Sequence, residues 1–245
     1  MTDWRQARYL VLDTETTGLD PAVDRIVELA ASLVDIPAGT ITPVFDERVN
    51  PGRPIPPEAS AIHHLRDRDV AHAAPWEEVW ARFRATVPAH DALLAHNAPF
   101  DHAFCAPDTP AWLDSLRAAR HLWPEAPRHT NQVLRYWLDL EVDAPHPHRA
   151  ADDTQVTGAI WQRLVATLAV RPDAPAPSLE ALAAWIAAPL DLTTVPFGKY
   201  KGQPFTVLPP DYIRWGLANI EDPDVVNQLR KVQESRRPAA ARRLL

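Results

Sequence analysis

Short apolar runs alternate along this chain with longer segments of helical periodicity, a pattern that predicts an α/β architecture. ARYLVLD (7–13) is nearly continuous in apolar residues, as a buried strand is, and it stops at the turn formers of TETTGLDP. RIVELAASLVD (25–35) and TITPVFDERVN (40–50) alternate well enough to be strands. The short link between them, Ile36-Pro37-Ala38-Gly39, favours an antiparallel meander. PGRPIPPEASAIHHL (51–65) is a proline-limited loop running into a short helix. In PWEEVWARFRATV (75–87), Trp76, Val79, Trp80 and Phe83 recur at helical spacing and are expected to face a core. DALLAHN (91–97) reads as a fourth strand, PFDHAFCA (99–106) as the start of a helix, and AWLDSLRAARHLW (111–123) as a short strand turning into a helix. Residues 131–140 and 150–168 read as helices. The sum is a mixed five-stranded sheet flanked by helices. Trp76, Trp80, Trp112, Trp123, Trp137 and Trp161 are expected to pack in the core.

Proline placement divides the chain. RPDAPAPS (171–178) has three prolines in eight residues without apolar periodicity and reads as a stiff linker. The expected organisation is a large domain over 1–170, a linker with a short helix over 171–192, a small α+β module over 193–235 and a basic tail over 236–245. The module should hold two short strands around the glycine turn of FGKYKG, then a helix from Pro210. Phe197, Phe205 and Trp215 could form its mini-core.

Composition changes the picture only at the edges. With 46% hydrophobic and 23% charged residues the chain is an ordinary globular one, and no apolar run approaches the roughly 18 residues of a membrane span. No secretory signal is expected, and the one cysteine, Cys105, has no partner in the chain, so a reducing cytoplasm is the expected setting. Net charge is −7, yet residues 1–170 sum to −9 and residues 193–245 to +4, with all three lysines in the latter. Lys199 and Lys201 beside Tyr200 could hold a nucleic-acid backbone against a stacked base, or could belong to a solvated hairpin.

Asp13 and Glu15 stand two residues apart at the carboxyl end of the first strand, so period-two geometry sends both to one face. Two acids there either spread into solvent or share a cation. AHNAPFD (95–101) and HRAADD (148–153) each add a histidine and an acid at element ends, where α/β sheets place their sites. Together the segments could converge four carboxylates, Asp13, Glu15, Asp101 and Asp153, with His148. Two Mg²⁺ or Mn²⁺ ions would neutralise such a cluster, and hard oxygen donors suit those ions better than zinc.

The set LDTETTGLD, HNAPFD and HRAADD, in this order, resembles the three motifs of the DEDDh family of 3′–5′ exonucleases, which have an RNase H-like fold. RIVELA is similar to the family's second strand and PIPPEASAIHHL to its P-x-E-A-x-x-I-H-G segment. The last match departs at His64, where the pattern has Gly, which leaves the local loop conformation open. The resemblance implies that Asp13, Glu15, Asp101 and Asp153 hold two metals and that His148 is the general base. H-x-A-x-x-D spacing selects Asp153 over Asp152. It further implies substrate contacts at Thr14, Thr16, Thr17, Glu58 and His63, and a loop-orienting role for Asn97. FGKYKG resembles the carboxyl-terminal domain of the exodeoxyribonuclease X subfamily. The implied activity is hydrolysis from the 3′ end of DNA, with RNA trimming or a polymerase-associated proofreading or binding subunit as alternatives. A homodimer is compatible with the resemblance, and no residue pattern requires one.

Overall fold

The computed structural model describes residues 2–106 and 108–236. The contacts fall into two compact units, divided between Ile186 and Ala187.

The first unit is built on a five-stranded sheet of β1 (Arg8–Thr16), β2 (Ile26–Asp35), β3 (Thr40–Arg48), β4 (Ala92–Ala95) and β5 (Leu113–Asp114), in the order β3-β2-β1-β4-β5. β1, β2 and β3 form the antiparallel meander; β4 and β5 run parallel to β1. β1 is central and buried on both faces, which is why its sequence is apolar without alternation. Pro43 is tolerated because β3 is an edge strand and the register slips beside it, between Ala31 and Ser32.

Between β3 and β4 come α1 (Pro57–His63), α2 (Asp67–Val70) and α3 (Trp76–Thr86). Then follow α4 (Ala98–Cys105), α5 (Ser115–Leu122), α6 (Asn131–Trp137), α7 (Ala150–Ala169) and α8 (Leu179–Ala187). Odd positions of β1, Tyr9 and Val11, pack with Val156, Ile160 and Trp161 of α7 on one face of the sheet. Even positions, Leu10 and Leu12, pack with Val79 and Phe83 of α3 and Ala98 and Cys105 of α4 on the other. α7 sits hard against the sheet at Gly158, where a Cβ would lie 3.0 Å from Val34 Cγ2.

Four features differ from expectation. Residues 171–186 belong to the first unit: Trp4 donates its indole N–H to Ala176 O (3.1 Å), and Leu182 and Ile186 are buried in the α7-side core. Trp137 is 38% exposed, with its ring 6.3 Å from that of Trp123 in an edge-on contact; the seven-residue α6 buries Leu134 instead. Among the described residues the second unit has no two-stranded hairpin; an isolated bridge, Thr194 to Pro204, closes the glycine turn. Its core of Val195, Phe205, Leu208, Ile213, Val225, Leu229 and Val232 is made by a 3₁₀ turn (Phe205–Val207), α9 (Pro210–Asn219) and α10 (Pro223–Ser235), and leaves Phe197 and Trp215 outside. The expected basic tail lies outside the described residues beyond Arg236. Among the described residues no helix is long and apolar enough to cross a membrane.

Candidate active site

The parity of β1 builds the site. Asp13 and Glu15 continue the Tyr9–Val11 row and therefore face α7, whereas Thr14 continues the Leu10–Leu12 row and faces α4. On the α4 side, β4 ends at Ala95, and Asn97, with a left-handed backbone (φ 72°), turns the chain into α4 and sets Asp101 in its first turn. Thr14 fixes that carboxylate twice, donating from its backbone N–H at 3.0 Å and from its hydroxyl at 2.7 Å to Asp101 Oδ1.

On the α7 side, Asp153 lies in the helix's first turn and accepts the His148 backbone N–H at 2.9 Å, with His148 in the left-handed region (φ 62°). Donor atoms of Glu15, His148 and Asp153 all lie within 4.8 Å of one another, His148 exposed and Asp153 buried. Asp152 turns away and accepts the His146 backbone N–H at 2.6 Å. The start of α7 is tied to β2 twice: Ser32 Oγ meets Thr154 Oγ1 at 2.8 Å, and Glu28, opposite Glu15 in the ladder, accepts from the Arg149 guanidinium and from Ala150 N–H.

The electrostatics of the cluster are unbalanced. Burial and then the neighbouring carboxylates Asp101, Asp153 and Glu15 push Asp13 well above its ordinary pKa; every charged group acting on it is an acid. Burial, then Asp153, pushes Glu15 up to about 8. Burial raises Asp101 to about 7 against the Thr14 bonds that lower it, and burial likewise raises Asp153. Four carboxyls that resist ionising together, with oxygen donors and one imidazole at the rim, are a donor set that fits hard divalent cations.

The remaining expected contacts divide. Thr16 donates to Gly18 O (2.6 Å) and Thr17 to Asp24 Oδ1 (3.1 Å), so their hydroxyls are committed to the loop after β1. His63 is buried at the end of α1; its Nδ1 accepts Leu65 N–H at 3.0 Å and its Nε2 makes no hydrogen bond, while burial lowers its pKa. Glu58 is exposed in the first turn of α1. His96, the other histidine of the HNAPFD segment, is a structural residue bound to Ser115 Oγ and His129 O, with burial pulling it down to about 4. Lys199, Tyr200 and Lys201 belong to the second unit. The Glu28–Arg149 pair was missed from sequence, although each residue stands inside a quoted motif, RIVELA and HRAADD.

The family model described as exonuclease (RNase_T) matches residues 10–161. Exodeoxyribonuclease 10 of Escherichia coli (strain K12) is 33% identical over 219 residues, covering 86% of this chain and 91% of that protein. A DNA polymerase III subunit epsilon-like protein of Rhodobacter capsulatus is 35% identical over 173 residues, 66% of this chain and 24% of its own length. Exonuclease X, solved in complex with 5′ overhanging duplex DNA, superposes with a TM-score of 0.60 at 31% identity, over 73% of this chain and 99% of that one. The family match spans all three acidic segments and the identity continues through most of the chain, so this protein belongs to the exonuclease family, among its DEDDh-type 3′–5′ exonucleases.

Proposed function

We propose that this protein is a 3′–5′ exodeoxyribonuclease that needs two divalent cations, Mg²⁺ or Mn²⁺, and releases nucleoside 5′-monophosphates. The observation that carries the reading is geometric: Glu15, His148 and Asp153 offer donor atoms within 4.8 Å of one another, beside the buried carboxyls of Asp13 and Asp101. Asp13, Glu15, Asp101 and Asp153 would hold the ions. Bound there, they supply Lewis acidity at the scissile phosphate and make water a stronger acid.

The chain's own residues do the rest. His148, exposed beside Glu15 and Asp153, accepts the proton of the attacking water as its oxygen bonds phosphorus and the 3′ oxygen departs. Asp153 holds the His148 backbone, and Thr14 keeps Asp101 from rotating away. His63 would act on the nucleotide through the loop that grips it: its Nδ1 accepts the Leu65 N–H and its Nε2 is buried beside the Thr16 backbone. Glu58 on α1 is available to the terminal sugar. The hydroxyls of Thr14, Thr16 and Thr17 and the N–H groups of Thr14 and Thr17 are engaged internally, so contacts of this segment with the terminal nucleotide would fall to its remaining backbone groups. DNA as substrate is supported by the complex of the similar Exonuclease X with duplex DNA. The cytoplasm as its compartment is supported by the lone cysteine, Cys105, buried and in no disulfide.

The test is a time course on 5′-labelled DNA and RNA strands of one sequence, with Mg²⁺ and with EDTA. A metal-dependent ladder shortening DNA from its 3′ end is expected; faster shortening of RNA replaces the substrate, and no shortening of either removes the activity.

A further inference from the structure

The second unit buries a core against which Tyr200 and Tyr212 pack, and yet leaves Trp215 and Phe197 exposed. Trp215 is 52% and Phe197 42% exposed. Trp215 is not isolated: its ring lies 5.4 Å from that of Tyr212, which lies 4.6 Å from Tyr200, and Lys199 Nζ stands 5.2 Å from the Tyr200 ring centre. Tyr212 and Trp215 occupy successive turns of one face of α9.

The turn carrying Lys199, Tyr200 and Lys201 is held in a fixed shape. Gly198 and Gly202 take φ of 75° and 81°, conformations that glycine adopts without strain. Val195 N–H bonds Gln203 O at 2.9 Å and Gly202 N–H bonds Val195 O at 2.8 Å, closing the loop. A Cβ at Gly198 would lie 4.0 Å from the Tyr212 hydroxyl oxygen, so the turn is seated beside α9. Lys199 and Lys201 are exposed, and neither has a carboxylate partner among the described residues; Lys231, by contrast, is paired with Asp191.

Charge says what this face would meet. Residues 1–186 carry 16 arginines, no lysine and 26 acids, a net −10 that repels polyanions at long range, whereas the described residues 187–236 carry six basic and six acidic residues and balance to zero, so attraction for an anion there is local to Lys199 and Lys201. Two lysines on either side of Tyr200 in sequence, at the head of a run of aromatic rings, answer the two parts of an unpaired strand, its phosphates and the flat faces of its bases. An apolar protein partner would use the rings and leave the lysines idle.

We infer that the second unit carries a binding site for single-stranded nucleic acid, with bases stacked on Trp215 and its aromatic neighbours and phosphates on Lys199 and Lys201. The inference rests on reading the chain as a nucleic-acid enzyme, but it concerns residues of the second unit.

The experiment uses the full chain in EDTA, where nothing is cut, and follows anisotropy of labelled dT20, rU20 and a blunt 20-base-pair duplex over a range of salt. W215A, at an exposed position, is expected to weaken both single strands about tenfold and the duplex hardly at all. The double variant K199A/K201A is expected to flatten the log–log salt slope by about 1.4, the value for two phosphates on a single strand. Preference between dT20 and rU20 names the sugar. Affinities and slopes unchanged in both variants, or an equal loss on the duplex in W215A, overturn the inference. A protein that hydrolyses DNA but shows unchanged binding leaves the catalytic reading standing; one that hydrolyses nothing but loses affinity in both variants does the reverse.

Discussion

Glu28 and Arg149, 121 positions apart, close an ion pair at the root of the candidate site, with the Glu28 side chain fully buried and that of Arg149 31% exposed. Glu28 also accepts the Ala150 N–H at 3.0 Å, so one carboxylate fixes the first residues of α7 and the turn carrying His148.

The unequal burial of this pair predicts unequal variants. In E28Q the amide oxygen can still accept from Ala150, and the orphaned guanidinium reaches water, so the loss is modest. In R149A a fully buried carboxylate loses its cation, a change that costs about 3–5 kcal/mol. Urea unfolding midpoints should therefore fall further in R149A, and turnover should fall in both, by up to about 10²-fold if His148 shifts by an ångström. Equal midpoints would show that the pair carries no net electrostatic weight.

The raised carboxyl pKa values give a signed pH dependence. In the metal-free fold, Asp101 titrates near 7 and Glu15 near 8, with Asp13 and Asp153 also raised, while the unfolded chain ionises them near 4. Between those limits the folded state holds more protons, so these groups subtract stability progressively as pH rises from about 4 to 8. Mg²⁺ displaces the same protons. The gain in Tm on adding Mg²⁺ should thus be larger at pH 8 than at pH 5.5, and at pH 8 the stabilisation behind it approaches the roughly 2.7 kcal/mol of a ligand at a hundredfold its Kd. A gain independent of pH would separate the cation from these carboxyls.

D101N isolates charge from shape. The amide oxygen can still accept both Thr14 donors, so the metal-free fold should be at least as stable as the wild type. Turnover should fall by more than the roughly 10–100-fold that even an outer partner of a metal ligand is worth. Wild-type rates in this variant would dismiss Asp101 from the cation site.

His64 is the place where the chain departs from its family's glycine, and the backbone does not follow the departure. It caps α1 in the left-handed region (φ 63°), donating its N–H to Ser60 O, with its side chain exposed. H64G should relieve roughly 1 kcal/mol of strain, less a few tenths for the freer unfolded chain. Thermal unfolding reads the difference; a lower Tm would mean that the imidazole makes a stabilising contact.

Much of this architecture could be read from the sequence because it is local. Strand ends, the meander and the acids at β1, α4 and α7 all follow from periodicity and turn chemistry within a dozen residues. What escaped was tertiary. Nothing adjacent to Glu28 in sequence announces Arg149, and only the packing of Leu182 and Ile186 onto the α7-side core shows that residues past the proline-rich stretch belong to the first unit. Trp137 and Trp215 have the spacing of core residues on short helices whose other faces found the partners. α10 went unrecognised because its buried residues, Val225, Leu229 and Val232, make a narrow stripe among charges.

His148 offers the sharpest division between two chemistries. Its ring lies within 4.8 Å of Glu15 and Asp153 donor atoms, close enough to bind a cation or to take a proton from water beside one. The exposed side chain and the backbone tie to Asp153 favour the second role, since a ligand gains from burial and a base needs access to the water it deprotonates. Removing a base costs about 10²–10⁴-fold in rate and leaves cation affinity in place. Removing a ligand weakens the cation, and added metal then restores part of the rate. H148A should accordingly lose turnover across the neutral range while keeping the wild-type Mg²⁺-dependent rise in Tm. A lost rise in Tm, with activity recovered at high Mg²⁺, would make His148 a ligand and pass the proton to another acceptor.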